Sequence, residues 1–184
     1  MHLEKNYDVK SKNKLIIPYK GLGIGKHAFV FDIDDKFFAD FEESEISKGK
    51  VHVVVNLDKQ SSLLQLEFIL VGIVYVACDR CLDNLDLAVN YNTNLFIKFG
   101  EQTGEQSEEI LVLSYAEHEL DISQYIYEYA HLSLPYKRMH SDNENGESTC
   151  NKDMLKKLEA YLLPEKEVNS DPRWNNLKDL MNNN

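Results

Sequence analysis

What this chain of 184 residues lacks narrows its class before any motif is read. Its longest apolar run, FILVGIVYVA from Phe68 to Ala77, has only ten residues. That is about half the length of a membrane-spanning helix. The opening stretch MHLEKNYDVKSKNKLII carries charges right up to a three-residue apolar run, so it lacks the long apolar centre of a signal peptide. The expectation is a cytoplasmic protein with no membrane partner. Cysteine is scarce, at three, and an odd number in a reducing compartment argues against a structural disulfide framework. Positive charge is also in short supply: 20 Lys and Arg face 31 Asp and Glu, for a net charge of -11 and a pI near 5.0. Such a balance argues against wholesale attraction to nucleic acid or anionic membrane. No internal repeat is present, and no Ser/His/Asp or Cys/His constellation has a recognisable catalytic context. GLGIGK (Gly21 to Lys26) falls short of a phosphate loop, because the Lys-[ST] ending is missing and strand-period residues follow instead of a helix. It reads as a glycine-rich turn.

What is present is ordinary for a folded domain, at 43% hydrophobic and 28% charged residues. FVFDI alternates Phe29, Phe31 and Ile33 with Val30 and Asp32, the period of a strand buried mainly on one face. VHVVVNL repeats the pattern with Val51, Val53, Val55 and Leu57. From Leu64 the even positions Leu66, Phe68, Leu70, Val74 and Val76 are apolar, and between Ile69 and Tyr75 the odd ones become apolar too, which places this strand centrally in its sheet. Leu85, Leu87, Val89, Tyr91, Leu95, Ile97 and Phe99 mark another long strand. GEQTGEQSEE (Gly100 to Glu109) reads as an acidic, solvated loop before the short run ILVLSY. At Asp121 the period changes. DISQYIYEYAHL offers an Asp N-cap, Gln124 in the capping-box position and a helical stripe of Ile122, Tyr125, Ile126 and Tyr129, ending before Pro135. NKDMLKKLEAYLL carries Met154, Leu155, Leu158, Tyr161 and Leu162 on a second helical stripe. Asp171-Pro172 opens a third, with Trp174, Leu177, Leu180 and Met181. Strands over 15–115 followed by helices over 121–181 make an α+β fold, with an antiparallel sheet of about five to six strands, in one domain spanning 1–184.

Two of the three cysteines stand close together in CDRCL, Cys78 to Leu82. A thioredoxin-like redox motif places its first cysteine where a strand gives way to a helix, whereas here strand-period runs lie on both sides. A C-x-x-C at a hairpin turn is the half-site of a zinc knuckle, since the short spacing lets two thiolates occupy adjacent corners of a tetrahedron. The other half would come from Cys150 and the nearest upstream imidazole, His140, in PYKRMHSDNENGESTC. Cys150 also precedes a helix, whose N-terminal partial charge favours a thiolate. A Cys3His set of Cys78, Cys81, His140 and Cys150 would pin the helical part to the sheet. Three unmetallated thiols are the competing reading, and His131 is an alternative fourth ligand whose place on the tyrosine-rich helix suits packing better. A Cys150 nucleophile assisted by His140 is a further alternative.

The same residues carry a resemblance. In order come Gly25-x-His27-x-Phe29, then FFADFEESEISKGKVHVVVNL, VACDRCL with its Cys78-x-Arg80-Cys81, LSLPYKRMH followed by Cys150, and the terminal Asp171-Pro172-x-Trp174-x-x-Leu177. Over nearly the whole chain this resembles the YceD family of bacteria, the large ribosomal RNA subunit accumulation proteins, and in particular its Bacteroidetes branch. The resemblance implies a non-enzymatic factor for synthesis, processing or stability of 23S ribosomal RNA or its precursor, with no small-molecule substrate.

An acidic protein binds RNA only if its positive charge gathers on one face. Lys5, Lys10, Lys12, Lys14, Lys20 and Lys26 load the first part of the chain. If the knuckle forms, Lys137 and Arg138 beside His140, together with Lys152, Lys156 and Lys157 after Cys150, converge near Arg80. Arg80, Lys137, Arg138, Lys152 and Lys156 are therefore the candidate RNA contacts. Each cluster alone reads more simply as a solvated face. A different function stands beside this one: an interaction module whose acidic surface docks a basic ribosomal or RNA-processing protein and touches no RNA. Tyr125, Tyr127 and Tyr129 could stack bases, but two of them share the buried helical stripe and read as core.

Overall fold

The alternating apolar positions become paired strands around one buried face. A computed structural model describes residues 14–42, 44–107 and 109–162. In chain order the strands are β1 (Ile16–Ile17), β2 (Gly25–Ile33), β3 (Lys48–Lys59), β4 (Leu63–Ala77), β5 (Asn84–Gly100), β6 (Gly104–Ser107), β7 (Ile110–Ser114) and β8 (Leu120–Asp121). Among the described residues three α-helices join them, α1 (Asp35–Ala39), α2 (Ser123–Leu132) and α3 (Lys152–Tyr161), besides a 3-10 turn at Tyr19–Gly21. The main sheet has the order β2-β3-β4-β5-β7-β6, and β1 pairs with β8 in a separate two-stranded ribbon. This is the α+β architecture implied by strand-period segments preceding helix-period ones, with β4 inside the sheet as its doubly apolar stretch requires.

Register follows the side-chain period of two, because slipping one residue would turn every apolar side chain to the other face. Phe29 lies opposite Val55, Val55 opposite Phe68, and Leu57 opposite Leu66, which in turn faces Leu95. All of these belong to the buried core, where Phe68, Leu66, Leu64 and Ile97 are fully covered. The even apolar series of β4 is interrupted at Gly72. A Cβ there would sit 2.2 Å from the Lys50 carbonyl oxygen and 2.6 Å from the Val51 Cα, so only glycine permits so close an approach of β3. On the buried side α1 contributes Phe37 and Phe38, and α2 contributes Ile126, Tyr129 and Ala130. The Phe68 and Tyr129 rings meet edge to face with centroids 5.2 Å apart.

Three local expectations are corrected. The sheet is mixed rather than wholly antiparallel, because β5 and β7 run parallel. The stretch read as an acidic loop holds β6, whose side chains are all exposed. Its alternation is hidden because both faces are solvated, and only backbone pairing defines it. The chain reverses into β6 at the sheet edge and reverses again into β7, so β7 regains the direction of β5 in the gap between them. The third correction is at the start of α2, where Ile122 and not Asp121 is the N-cap: Asp121 belongs to β8 and its carboxylate accepts a hydrogen bond from the Ser123 N–H, while Gln124 bonds Glu128 instead of closing a capping box. The helix expected from Asp171, and Lys5, Lys10 and Lys12, lie outside the described residues.

Candidate metal centre

Both halves of the proposed knuckle are placed by backbone geometry. Ala77 and Asn84 are the last paired residues of the β4–β5 hairpin, and Cys78 to Asp83 form its tip. The Cys78 N–H donates to the Asp83 carbonyl and the Leu82 N–H to the Cys78 carbonyl, both at 2.9 Å. Leu82 closes the tip with φ of 64°, a left-handed conformation that a branched side chain adopts at a cost of about 1–2 kcal/mol. Its side chain points outward, 67% exposed, while both cysteines beside it turn inward.

The second half arrives from the long connection between α2 and α3. The Asp79 N–H donates to the Arg138 carbonyl at 2.7 Å and the Arg138 N–H donates to the Asp79 carboxylate at 2.8 Å, lacing the two segments side by side. This brings His140 against the tip. An isolated bridge between Asp142 and Ser148, with Gly146 at φ of 79° in the turn, folds the chain back so that Cys150 returns to the same place. Asn151 then caps α3, accepting hydrogen bonds from the Asp153 and Met154 N–H groups, and its amide reaches the Asp83 carboxylate at 3.1 Å.

The four expected ligand residues, Cys78, Cys81, His140 and Cys150, therefore converge, with their donor atoms all within 4.8 Å of one another. Cys78 Sγ is 3.9 Å from Cys150 Sγ, and His140 Nδ1 is 3.5 Å from Cys81 Sγ and 3.8 Å from Cys150 Sγ. A tetrahedron with Zn–S near 2.3 Å and Zn–N near 2.1 Å has edges of about 3.5–3.8 Å. The separations are those of a donor set arranged around a common centre, so the group could hold a metal ion. The far side of the imidazole fits too. His140 Nε2 lies 3.1 Å from the Asn84 carbonyl oxygen, which accepts a hydrogen bond from Nε2–H and leaves the Nδ1 lone pair on the side of the sulfurs, available to a metal.

The electrostatics bias the same atoms. Burial opposes a charge on Cys78, but the backbone N–H groups of Cys81, Arg80 and His140 outweigh it, and the Cys78 thiol is lowered to about 6. Burial also works against a charged His140, yet its bonds to Cys78, the Asn84 carbonyl and Cys81 raise its pKa. At Cys150 the Ser148 hydroxyl pulls downward, but burial and the adjacent Cys78 and Cys81 sulfurs prevail and raise it. The sulfurs are almost wholly enclosed, with Cys78, Cys81 and Cys150 at most 3% exposed. A buried cluster of this kind favours a cation that neutralises several thiolates together.

His131, the alternative ligand, stays on α2: its Nδ1 bonds the Tyr127 carbonyl and its ring packs on Tyr127. The basic residues divide into two kinds. Lys137, Lys152 and Lys156 are exposed. Arg80 and Arg138 face inward as struts, Arg80 donating to the Ser148 hydroxyl and Arg138 forming ion pairs with Glu45 at 2.5 Å and Asp79 at 3.4 Å. Asp79, Asn84 and Ser148 had no place in the reading of the sequence, and Glu45, one of the paired carboxylates Glu42, Glu43 and Glu45, reads there as having no nucleophile or metal partner nearby. Glu45 is 93 positions from Arg138 and carries no local signal; only the D of CDRC, between the two cysteines, was close enough to be suspected.

Residues 66–181 match the family model described as large ribosomal RNA subunit accumulation protein YceD. No curated protein and no solved structure gives a significant match. The matched span includes the whole of the Cys/His group and omits β2 and β3.

Proposed function

The chain belongs to the YceD family, and on that premise we propose that it is a zinc-stapled, non-enzymatic cytoplasmic factor that supports accumulation of 23S ribosomal RNA by binding the RNA or its precursor. The family's name points to the large ribosomal subunit and its RNA; the contact itself is our reading. The observation that carries it is the Cys3His group. It supports a reading in which the C-terminal part is tied to the sheet, with exposed Lys137 three positions before His140 and exposed Lys152 and Lys156 shortly after Cys150. Among the described residues no helix is long and apolar enough to cross a membrane.

Zinc fits better than a hard cation, because three thiolates and an imidazole are soft and borderline donors and carry no carboxylate. Protein purified without chelator should contain close to one equivalent of zinc; a content near zero would sink the metal assignment. For RNA, ultraviolet crosslinking in the native cell followed by stringent purification should enrich 23S ribosomal RNA or its precursor. Replacing Lys137, Lys152 and Lys156 together by Glu should weaken binding to the recovered fragment and flatten its salt dependence, because each lost phosphate contact lowers the slope by about one. Unchanged affinity would remove this patch from the account.

A second reading is favoured by the arginines. With Arg80 and Arg138 engaged inside the protein, fewer cations remain for phosphate, and the net charge of -11 suits docking of a basic ribosomal or RNA-processing protein. Copurification of such a protein with no crosslinked RNA would select it.

A further inference from the structure

The buried face of the sheet is only one of its two faces. On the other, β4 presents Val71, Ile73 and Tyr75 at 52%, 48% and 41% exposure, an apolar ridge in the middle of the sheet. By register Lys48, Lys50 and His52 of β3 flank it on one side and Asp86, Ala88 and Asn90 of β5 on the other. Val30 of β2 is exposed on the same face. Beside Val71 the surface dips into an open groove of about 440 Å³, bounded by Lys50, His52, Asp32 and Asp34. A run of three large apolar side chains on a central strand is unusual for a face left in water, where period-two strands carry polar residues. None of the described residues covers it.

We propose that the chain's own C-terminal segment, residues 163–184, docks on this face, with Trp174 seated in the groove and Leu177, Leu180 and Met181 along the ridge. The lengths agree. Val71 to Tyr75 spans about 13 Å of strand, and Trp174 to Met181 spans about 10 Å at helical rise. Reach is sufficient in any direction. The ridge ends about 23 Å from the knuckle at which α3 starts, and α3 carries the chain at most about 15 Å away. The stretch from Leu162 to Trp174 extends to about 40 Å. The chemistry agrees as well: an indole needs an apolar seat with a hydrogen-bond acceptor at its N–H, and the groove is lined by Val71, Lys50, Asp32 and Asp34, whose carboxylates each use one oxygen, Asp32 toward His52 and Asp34 toward the Lys36 N–H, and keep a second as acceptor. The family match covers residues 66–181, so it takes in both the ridge on β4 and most of this segment. This inference is independent of metal and RNA binding.

Trp174 is the chain's single tryptophan, which makes its fluorescence a direct reading of that one contact. In the full-length protein its emission should be shifted to the blue of free tryptophan and shielded from acrylamide. Val71→Asp combined with Ile73→Asp should move the emission to the red and raise the quenching constant several-fold, with the far-ultraviolet circular dichroism of the sheet retained. Ile73→Val alone should leave both unchanged. Emission that is already red-shifted in the unmodified protein would overturn the proposal. So would a blue-shifted emission insensitive to the double substitution, which would seat the segment elsewhere, or one lost on dilution, which would make the occupant a second copy.

Discussion

Helices α2 and α3 have the same length, ten residues, and are held to the sheet in opposite ways. α2 buries Ile126, Tyr129 and Ala130 in the core, where Tyr129 meets Phe68 and Tyr91. α3 has no buried residue at all; Met154 and Leu155 only lean on the core, and Leu158 and Tyr161 are exposed. What fixes α3 is its entry point, where Cys150 joins the tip of the β4–β5 hairpin and Asn151 caps the first turn. The difference teaches that apolar area accounts for the sheet and α2, and that the Cys/His cluster takes its place for α3. A ten-residue helix without either would not persist in water.

The comparison can be broken from either side. Phe68→Ala removes the ring shared by the sheet and α2 and should cost about 3–5 kcal/mol of global stability, seen as a lowered denaturation midpoint with all probes moving together. Cys81→Ser in metal-loaded protein, or chelation, should act on the other side: amide exchange in α3 and around His140 should become fast while the strands β3 to β5 keep their protection. Simultaneous loss of protection in the sheet would show that the two regions are not separable. Alkali should discriminate in the reverse sense. Burial holds Tyr129, Tyr125 and Tyr19 neutral, with pKa values raised above the ordinary tyrosine value near 10. In the unfolded chain these groups ionise first. Stability is therefore unaffected by them below about pH 10, and falls above it by about 1.4 kcal/mol per pH unit for each tyrosine still neutral in the fold. Melting temperatures measured between about pH 9 and pH 11 should show this drop, and Tyr129→Phe should reduce its slope. The smallest effect is at the cap: Asn151→Ala should destabilise α3 by about 1 kcal/mol, visible in exchange of the Asp153 and Met154 amides and absent from the global midpoint.

Most of the fold was legible because burial on one side of a sheet writes itself as a period of two. Phe29, Phe31 and Ile33, Val51 to Leu57 and Leu64 to Val76 all lie where that period puts them. The cysteine pair was legible for a related reason, since the turn between two such runs had to be a hairpin tip. β6 was not legible, because Gly104 to Ser107 are exposed on both faces and leave no pattern. Nor was the function of Arg138. Seen as sequence it is one more cation beside His140; in the fold its guanidinium bridges Glu45 and Asp79 and its pKa is raised chiefly by the bond to Glu45. A long-range ion pair is a property of the folded surface and has no local spacing. The odd positions of β4 were read correctly as apolar, but sequence alone could not distinguish a strand covered on both faces from one with an open ridge.

The split of the ligand set has a consequence in time. Cys78 and Cys81 lie in the first half of the chain, and His140 follows Cys81 by 59 positions and Cys150 follows Cys78 by 72. A ribosome adding about 5–20 residues per second leaves the first two thiols waiting for about 3–15 s before the last donor is made. By then β2 to β5, which hold the hairpin tip, have all been synthesised. The four-atom cluster can close only behind them, as the final clasp on a sheet whose strands are already in hand.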